Sequence, residues 1–350
     1  MDSKSDSDKT APILWCLASA ALFGASTPAS KAVLDGIGPI TLAGLLYIGS
    51  AIAVLPFAFR GGSRNIALRP KNILRMCGAV VFGGALGPIF LLIGLRQAPA
   101  ASVSLWLNLE TVATALLAYA IFREYITKRT WLAVVFIVAG GITLASPSGW
   151  GNMRAVILVA LACICWGFDN NLTSIIDGFT PAQTTFIKGI FAGLINLGIG
   201  LSIEKSAIGW NYVAGAVVIG MFSYGLSIVL YISGAQKLGA TRSQMIFAAA
   251  PFLGVTISWA ILREPILASQ IIAALIMATG LWVLLSERHE HVHLHDRIEH
   301  THSHSHDDGH HMHVHQKLPS GVQHTHAHEH DEVEHAHPHE PDLHHRHEHI

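Results

Sequence analysis

Ten stretches of this chain are too apolar to meet water. They run over roughly 11–32, 39–59, 73–95, 101–122, 130–146, 154–175, 182–203, 210–233, 243–262 and 267–285. A bilayer core about 30 Å thick is crossed by roughly 20 apolar residues of helix, and each run has about that length. Hydrocarbon offers the backbone no hydrogen-bond partners, so each run is expected to be a helix, which satisfies its own amides. Charges and turn formers collect between the runs, as in RGGSRNIALRPKN at 60–72 and SPSGWGN at 146–152. The expected fold is therefore all-α: a polytopic membrane protein of ten transmembrane helices, with the lipid bilayer as its first partner.

Charge divides the chain a second way. Charged residues make up only 13% of it, against roughly 25% in soluble domains. The net charge of −1 hides two unlike parts. Residues 1–288 hold 19 Lys and Arg against 11 acids, or +8, while residues 289–350 hold 3 against 12, or −9. All 23 histidines fall in the second part. With so little apolar surface to bury, that tail is expected to be disordered. The polar leader at 1–10 is mixed in charge and precedes a full-length apolar run, so it reads as a retained first helix and not a cleaved signal. Cys16, Cys77, Cys163 and Cys165 lie in or beside apolar runs and read as small buried residues, with no disulfide framework.

Basic residues orient the bundle. Arg60, Arg64, Arg69, Lys71 and Arg75, then Arg123, Lys128 and Arg129, mark the loops on the side of the N-terminus as cytoplasmic. Ten spans return the tail to that side, so both termini are expected inside, in a cell (inner) membrane. The halves also repeat. Phe23-Gly24 recurs as Trp166-Gly167, Asp35-Gly36 with Pro39 as Asp177-Gly178 with Pro181, and Ile121–Glu124 (IFRE) as Ile261–Glu264 (ILRE). Five helices is an odd number, so the second copy must be inserted upside down, with a binding site expected near the midplane between the copies.

The segment LNLETVATALLAYAIFREYITKR at 107–129, its second copy FAAAPFLGVTISWAILREP at 247–265, and the openings LFGASTPASK at 22–31 and CWGFDNNLTS at 165–174 resemble the EamA-type transporters of the drug/metabolite transporter superfamily. The resemblance covers about 11–286 and divides it into repeats at 11–146 and 153–286, leaving the tail at 287–350. It implies transport of a small polar metabolite or drug. One departure is Thr111, preceded by Glu110, where the second copy carries Pro251.

Charges inside a membrane are expensive and mark pathways or partners. Glu110 lies mid-helix with Trp106 and Thr114 a turn to either side, a polar and aromatic strip suited to a cation or proton, or else a structural carboxyl. Asp169-Asn170-Asn171, beside Trp166, is the most polar triplet in any span; a cavity wall and a helix-to-helix hydrogen-bond cluster compete for it. Lys188 is expected to pair with Asp169, and Lys31 either joins such a pair or snorkels to the interface. Arg263-Glu264 reads as an anchor or turn-setting pair. Gly83 with Gly87 and Gly189 with Gly193 read as packing, and Pro28, Pro88 and Pro251 as interruptions.

In the tail, His300, His302, His304 and His306, then His310, His311, His313 and His315, then His324, His326, His328 and His330 recur mostly at every second position. Extended chain would bring such alternate imidazoles to one side, where three or four suffice to bind Zn, Ni, Co or Cu. No cofactor is required by this reading, and no GxxxxGK[ST] loop offers direct ATP drive. The expectation is a secondary transporter and not an enzyme, moving a small-molecule solute, with nucleic acid no partner. A transition-metal transporter, or a membrane-anchored metal buffer or sensor, is the alternative.

Overall fold

The structure is a computed structural model describing residues 3–59, 70–122, 126–145, 153–176, 179–204, 209–238, 240–286, 290–295, 298–304, 324–330 and 333–338. Among the described residues ten helices are long and apolar enough to cross a bilayer: α1 (Thr10–Val33), α2 (Pro39–Ala58), α3 (Pro70–Gln97), α4 (Ala100–Ile121), α5 (Lys128–Ala145), α6 (Met153–Ser174), α7 (Pro181–Ile203), α8 (Trp210–Ala235), α9 (Ser243–Ile261) and α10 (Ala268–Leu285). The bundle is an all-α polytopic membrane protein. Large apolar side chains such as Leu275 and Trp282 are 65% and 70% exposed, which only hydrocarbon tolerates on this scale.

Helix packing follows an inverted two-fold pattern. α1 lies on α8 and α9 of the other half, and α6 correspondingly lies on α3 and α4. α2, α4 and α5 each pack against their own counterparts, α7, α9 and α10. Gly24 and Gly167, which looked equivalent in sequence, occupy equivalent crossings. A Cβ at Gly24 would strike the backbone of Ala250 in α9, and one at Gly167 the backbone of Ala113 and Thr114 in α4.

Interruptions recur with the same symmetry. α3 and α8 both pass through π-helical turns, at Val80–Leu86 and Gly220–Leu226. α4 and α9 both break at midspan, where Trp106 and Leu109 bound one gap and Phe247 and Ala250 the other. Each break frees backbone carbonyls that hydrocarbon cannot satisfy, so a polar side chain must. Pro88 has no amide to offer Gly84, whose carbonyl accepts instead from Asn196 Nδ2 at 3.2 Å. Gly83 O accepts from Tyr47 Oη at 2.6 Å and Trp166 Nε1 at 3.0 Å. In α8, Ser50 and Ser227 hydroxyls take the carbonyls of Tyr224 and Ser223.

The face opposite the start of α1 and the end of α10, here the distal face, is stitched shut between helices. Glu204, after α7, accepts the amides of Ile40 and Thr41 at 2.9 Å each and the Thr41 hydroxyl at 2.7 Å, capping α2. Glu264, after α9, accepts the amides of Ala100 and Ala101 at 2.7 and 2.9 Å, capping α4. Both carboxylates sit where the helix dipole and orphan amides favour an anion. Arg263 turns the chain for Glu264 with φ at 53°, the left-handed region a side chain resists. It is thus a turn-setting pair; Arg123 and Glu124, its sequence counterparts, lie outside the described residues.

The tail segment 287–341 forms a separate unit. Within it β1 (Glu290–His295) pairs antiparallel with β4 (Val333–Pro338), and β2 (Ile298–His304) with β3 (His324–His330). Alternation of His with Val, Ile and Thr suits extended chain, and such a ladder needs only backbone partners. The register sets His300 opposite His328, His302 opposite His326 and His304 opposite His324. His306, His310, His311, His313 and His315 lie outside the described residues.

Glu264→Ala should lower the melting temperature of the purified chain, at a cost of about 1–2 kcal/mol for the lost cap. Arg263→Gly, which relieves a left-handed residue, should leave it unchanged or raise it. Equal melting of Glu264→Ala and the parent would show that the cap does not hold the distal face.

Candidate functional site: a one-sided cavity on broken helices

Asn108 explains why α4 breaks without the proline that breaks α9. Its amide Nδ2 donates to Leu105 O, three residues back, at 2.9 Å, and its backbone N–H also turns to Leu105 O at 3.1 Å. Such local bonds compete with the helix ladder. The helix restarts at Leu109, and Glu110 falls in the first turn of this half-helix, where the positive end of the dipole favours its carboxylate. In α9, Pro251 occupies the equivalent first turn, and nothing ionisable accompanies it.

The phase shift at 107–108 corrects the expected Trp106, Glu110 and Thr114 strip. An unbroken helix would align all three. Trp106 instead turns into the core, 1% exposed, with its Nε1 donating to Gly141 O at 3.4 Å. Glu110 and Thr114 stay together: Asn170 Nδ2 donates to Glu110 Oε1 at 2.9 Å and to Thr114 Oγ1 at 3.2 Å. Asn171 is helix-to-helix glue, donating to Thr114 O at 3.1 Å and Gly167 O at 2.8 Å.

Asp169 and Lys188 meet as an ion pair, 2.8 Å from Nζ to Oδ2 and 3.1 Å to Oδ1, with Thr173 donating to Oδ1 at 2.9 Å. It is the ion pair found among the described residues. The side chains are 17% (Lys188) and 8% (Asp169) exposed, so loss of either partner would leave the other charge stranded. Gly83 makes room for this pair: a Cβ there would collide with the Asp169 carboxylate. Gly87 likewise faces the Trp166 indole, 2.8 Å from its Nε1 to such a Cβ, so these glycines serve the polar cluster as well as packing. Lys31 belongs to neither cluster. Its Nζ donates to Leu95 O at 2.7 Å, Ala98 O at 3.0 Å and Arg96 O at 3.4 Å, closing the C-terminal end of α3 at the distal face.

A cavity of about 190 Å³ begins at these breaks. Gly24, Asn108, Glu110 and Pro251, near the breaks, line it, and so do Gln244, Leu284 and Leu285. α9 starts and α10 ends beside the last three, so the lining extends from the breaks toward the face opposite the distal one. Phe23 and Phe247, with ring centroids 5.3 Å apart, both contribute to the wall. Thr27, Ser104, Asn108 and Gln244 were not singled out from sequence. Asn108, adjacent to the helix-phase break, carried the one local signal; the others come from helices that only the fold brings together.

A cavity with one intramembrane carboxylate in a largely apolar wall, set on discontinuous helices between two inverted five-helix repeats, has the plan of a membrane transporter. The EamA-like transporter family model matches the chain twice, over residues 10–146 and 153–286. The chain belongs to the EamA-like transporter family. An uncharacterized transporter of Methanothermobacter thermautotrophicus is 25% identical over 285 residues, covering 75% of this chain and 82% of that protein. The uncharacterized transporter YyaM of Bacillus subtilis is 21% identical, covering 67% and 79% respectively. A solved crystal structure superposes with a TM-score of 0.57 at 14% identity, covering 78% of this chain and 96% of its own, and so shares the fold.

Gly83→Ala should destabilise the bundle by about 1–3 kcal/mol, because the added methyl displaces the Asp169 carboxylate. Gly198→Ala, where a Cβ meets nothing within 4 Å, should be neutral or stabilise by up to about 1 kcal/mol. Thermal melting of the two variants checks the contrast, and similar melting temperatures would remove Gly83 from the site.

Proposed function

We propose that the chain is a secondary transporter that exports a small polar solute by alternating access. The observation that carries this reading is the cavity itself, whose lining reaches from the midspan breaks to Gln244, Leu284 and Leu285 at helix ends on the face where α1 begins. The basic loops favour that face as cytoplasmic, with both termini inside a cell membrane. Solute then loads from the cytoplasm while Lys31, Glu204 and Glu264 hold the opposite face closed. A volume of about 190 Å³ lies below the roughly 300–1,000 Å³ of drug-sized sites, which favours a small metabolite over a large drug.

Coupling falls to the two charged clusters. Asn170, bonded to Glu110, is the chain neighbour of Asp169, bonded to Lys188. A change of charge or ligand at Glu110 therefore acts on the helix that carries the buried ion pair. An ion, a proton or the solute's own gradient supplies the energy in this scheme.

The cavity lends no support to a transition-metal cargo, since its lining holds one carboxylate and neither imidazole nor thiol. Metal binding is proposed for the tail alone. Opposed residues of an antiparallel pair share one side of the ribbon, with Cβ atoms about 5 Å apart. The register therefore stacks three rungs of paired histidine positions: 300 with 328, 302 with 326, and 304 with 324. An isolated two-stranded ribbon is marginal in water, and a bridging Zn or Ni ion would stabilise it.

Flux of a metabolite panel into vesicles tests the core. Asp169→Asn alone should cost about 3–5 kcal/mol and deplete the protein from the membrane. Asp169→Asn with Lys188→Met should restore abundance without restoring flux; full flux in that pair would make the bridge purely structural. Truncation after Glu287 should abolish Zn or Ni binding and leave flux intact. Loss of both would favour a metal cargo.

A further inference from the structure

We infer that the cavity holds its solute by an organic ammonium group, seated on the Glu110 carboxylate in a wall to which the paired rings of Phe23 and Phe247 also contribute. This rests on the transporter reading and names the class of solute. Glu110 is the one ionisable residue in the cavity lining. The hydrogen bond it receives from Asn170 comes from a neutral amide, and the ion pair found among the described residues lies elsewhere, between Lys188 and Asp169. An intramembrane acid normally carries a partner. Glu110 stands in the first turn of its own half-helix, where the dipole favours an anion, and it lines the cavity that a cationic group would enter.

The rest of the wall suits the same group. Phe23 and Phe247 present aromatic surface, backed by Tyr224 at 6.0 Å from Phe23 and Tyr231 at 5.0 Å from Phe247. Rings so placed attract a cation through their faces. Ser104 is 1% exposed and its Oγ has no hydrogen-bond partner, although it lines the cavity. A buried hydroxyl left in this way is an acceptor for a ligand N–H. A solute carboxylate would instead meet Glu110 with no Lys or Arg in the wall to offset the repulsion. A divalent ion would find one carboxylate where six or more oxygens are wanted.

Three near-isosteric probes separate these cases: phenethylamine, 2-phenylethanol and phenylacetate. Each is titrated against the full chain in nanodiscs, with empty nanodiscs subtracted. Phenethylamine should bind at least about tenfold more tightly than the alcohol, and phenylacetate should not bind. Glu110→Gln should erase the advantage of the amine and leave the alcohol unaffected. Glu110→Asp, which keeps the charge, should retain it and guards against a fold defect in the amide variant. Ser104→Ala should weaken the amine several-fold. Equal binding of amine and alcohol, an advantage that survives Glu110→Gln, or no amine binding at all would overturn the inference. Accessibility of Ala98→Cys from the distal face, read in the same preparation, reports alternating access with no ligand class assumed. A bundle that still switches but shows no amine preference loses only this inference.

Discussion

Backbone hydrogen bonding in hydrocarbon is the constraint from which the rest of this bundle follows. An unbroken helix meets it without help, and five of the ten helices described, α1, α3, α4, α8 and α9, are interrupted instead. Each interruption exposes carbonyls whose abandonment would cost several kcal/mol apiece. Tyr47, Ser50, Asn108, Trp166, Asn196 and Ser227 are spent on that repair. The helix ends impose the same demand at the distal face, where Lys31, Glu204 and Glu264 answer it across the boundary between repeats. Polar residues in this membrane domain are thus mostly structural. Those left over, Glu110 and the Asp169–Lys188 pair, stand out for that reason.

Sequence made the scaffold legible because each span had to announce itself. A run of twenty apolar residues admits one conformation in lipid, and an odd number of helices per repeat admits one relation between the repeats. Asp169 with Lys188 was readable as opposite charges in consecutive spans, although α6 and α7 do not pack on each other: both lie on α3, and the two side chains meet beside Gly83. What sequence concealed was phase. Trp106 seemed to share a face with Glu110 on the assumption of a continuous helix, and the turn at Asn108 rotates it into the core. Lys31 looked like a counterion because it is basic and inside a span; carbonyls at the end of α3, 64–67 residues away in the chain, compete for it successfully. Glu204 gave no signal, for a carboxylate that caps a helix in the other repeat is indistinguishable from any loop acid.

Tail and bundle obey different solvents. The bundle buries its charges singly and pairs them, whereas the tail concentrates acids and imidazoles in a segment of water-facing composition. Histidine at every second position does nothing for a helix, but in an antiparallel ribbon it aligns. The strands at 298–304 and 324–330 adopt the one regular conformation in which that spacing has a purpose.

The deepest asymmetry lies at the two breaks that symmetry makes equivalent. Inverted repeats supply two half-helix starts near the midplane, each with a positive end. Were both furnished with proline, two positive helix ends would face the cavity with no carboxylate to offset them. In α9 the break is made by Pro251, which contributes only rigidity. In α4 Thr111 holds the corresponding place, and Asn108 makes the break by a side-chain bond, which leaves the next turn free to carry an acid. Replacing proline by Asn108 in that role is therefore what admits Glu110 to the axis of the bundle. The fold is two-fold in its backbone and one-fold in the chemistry of its two breaks.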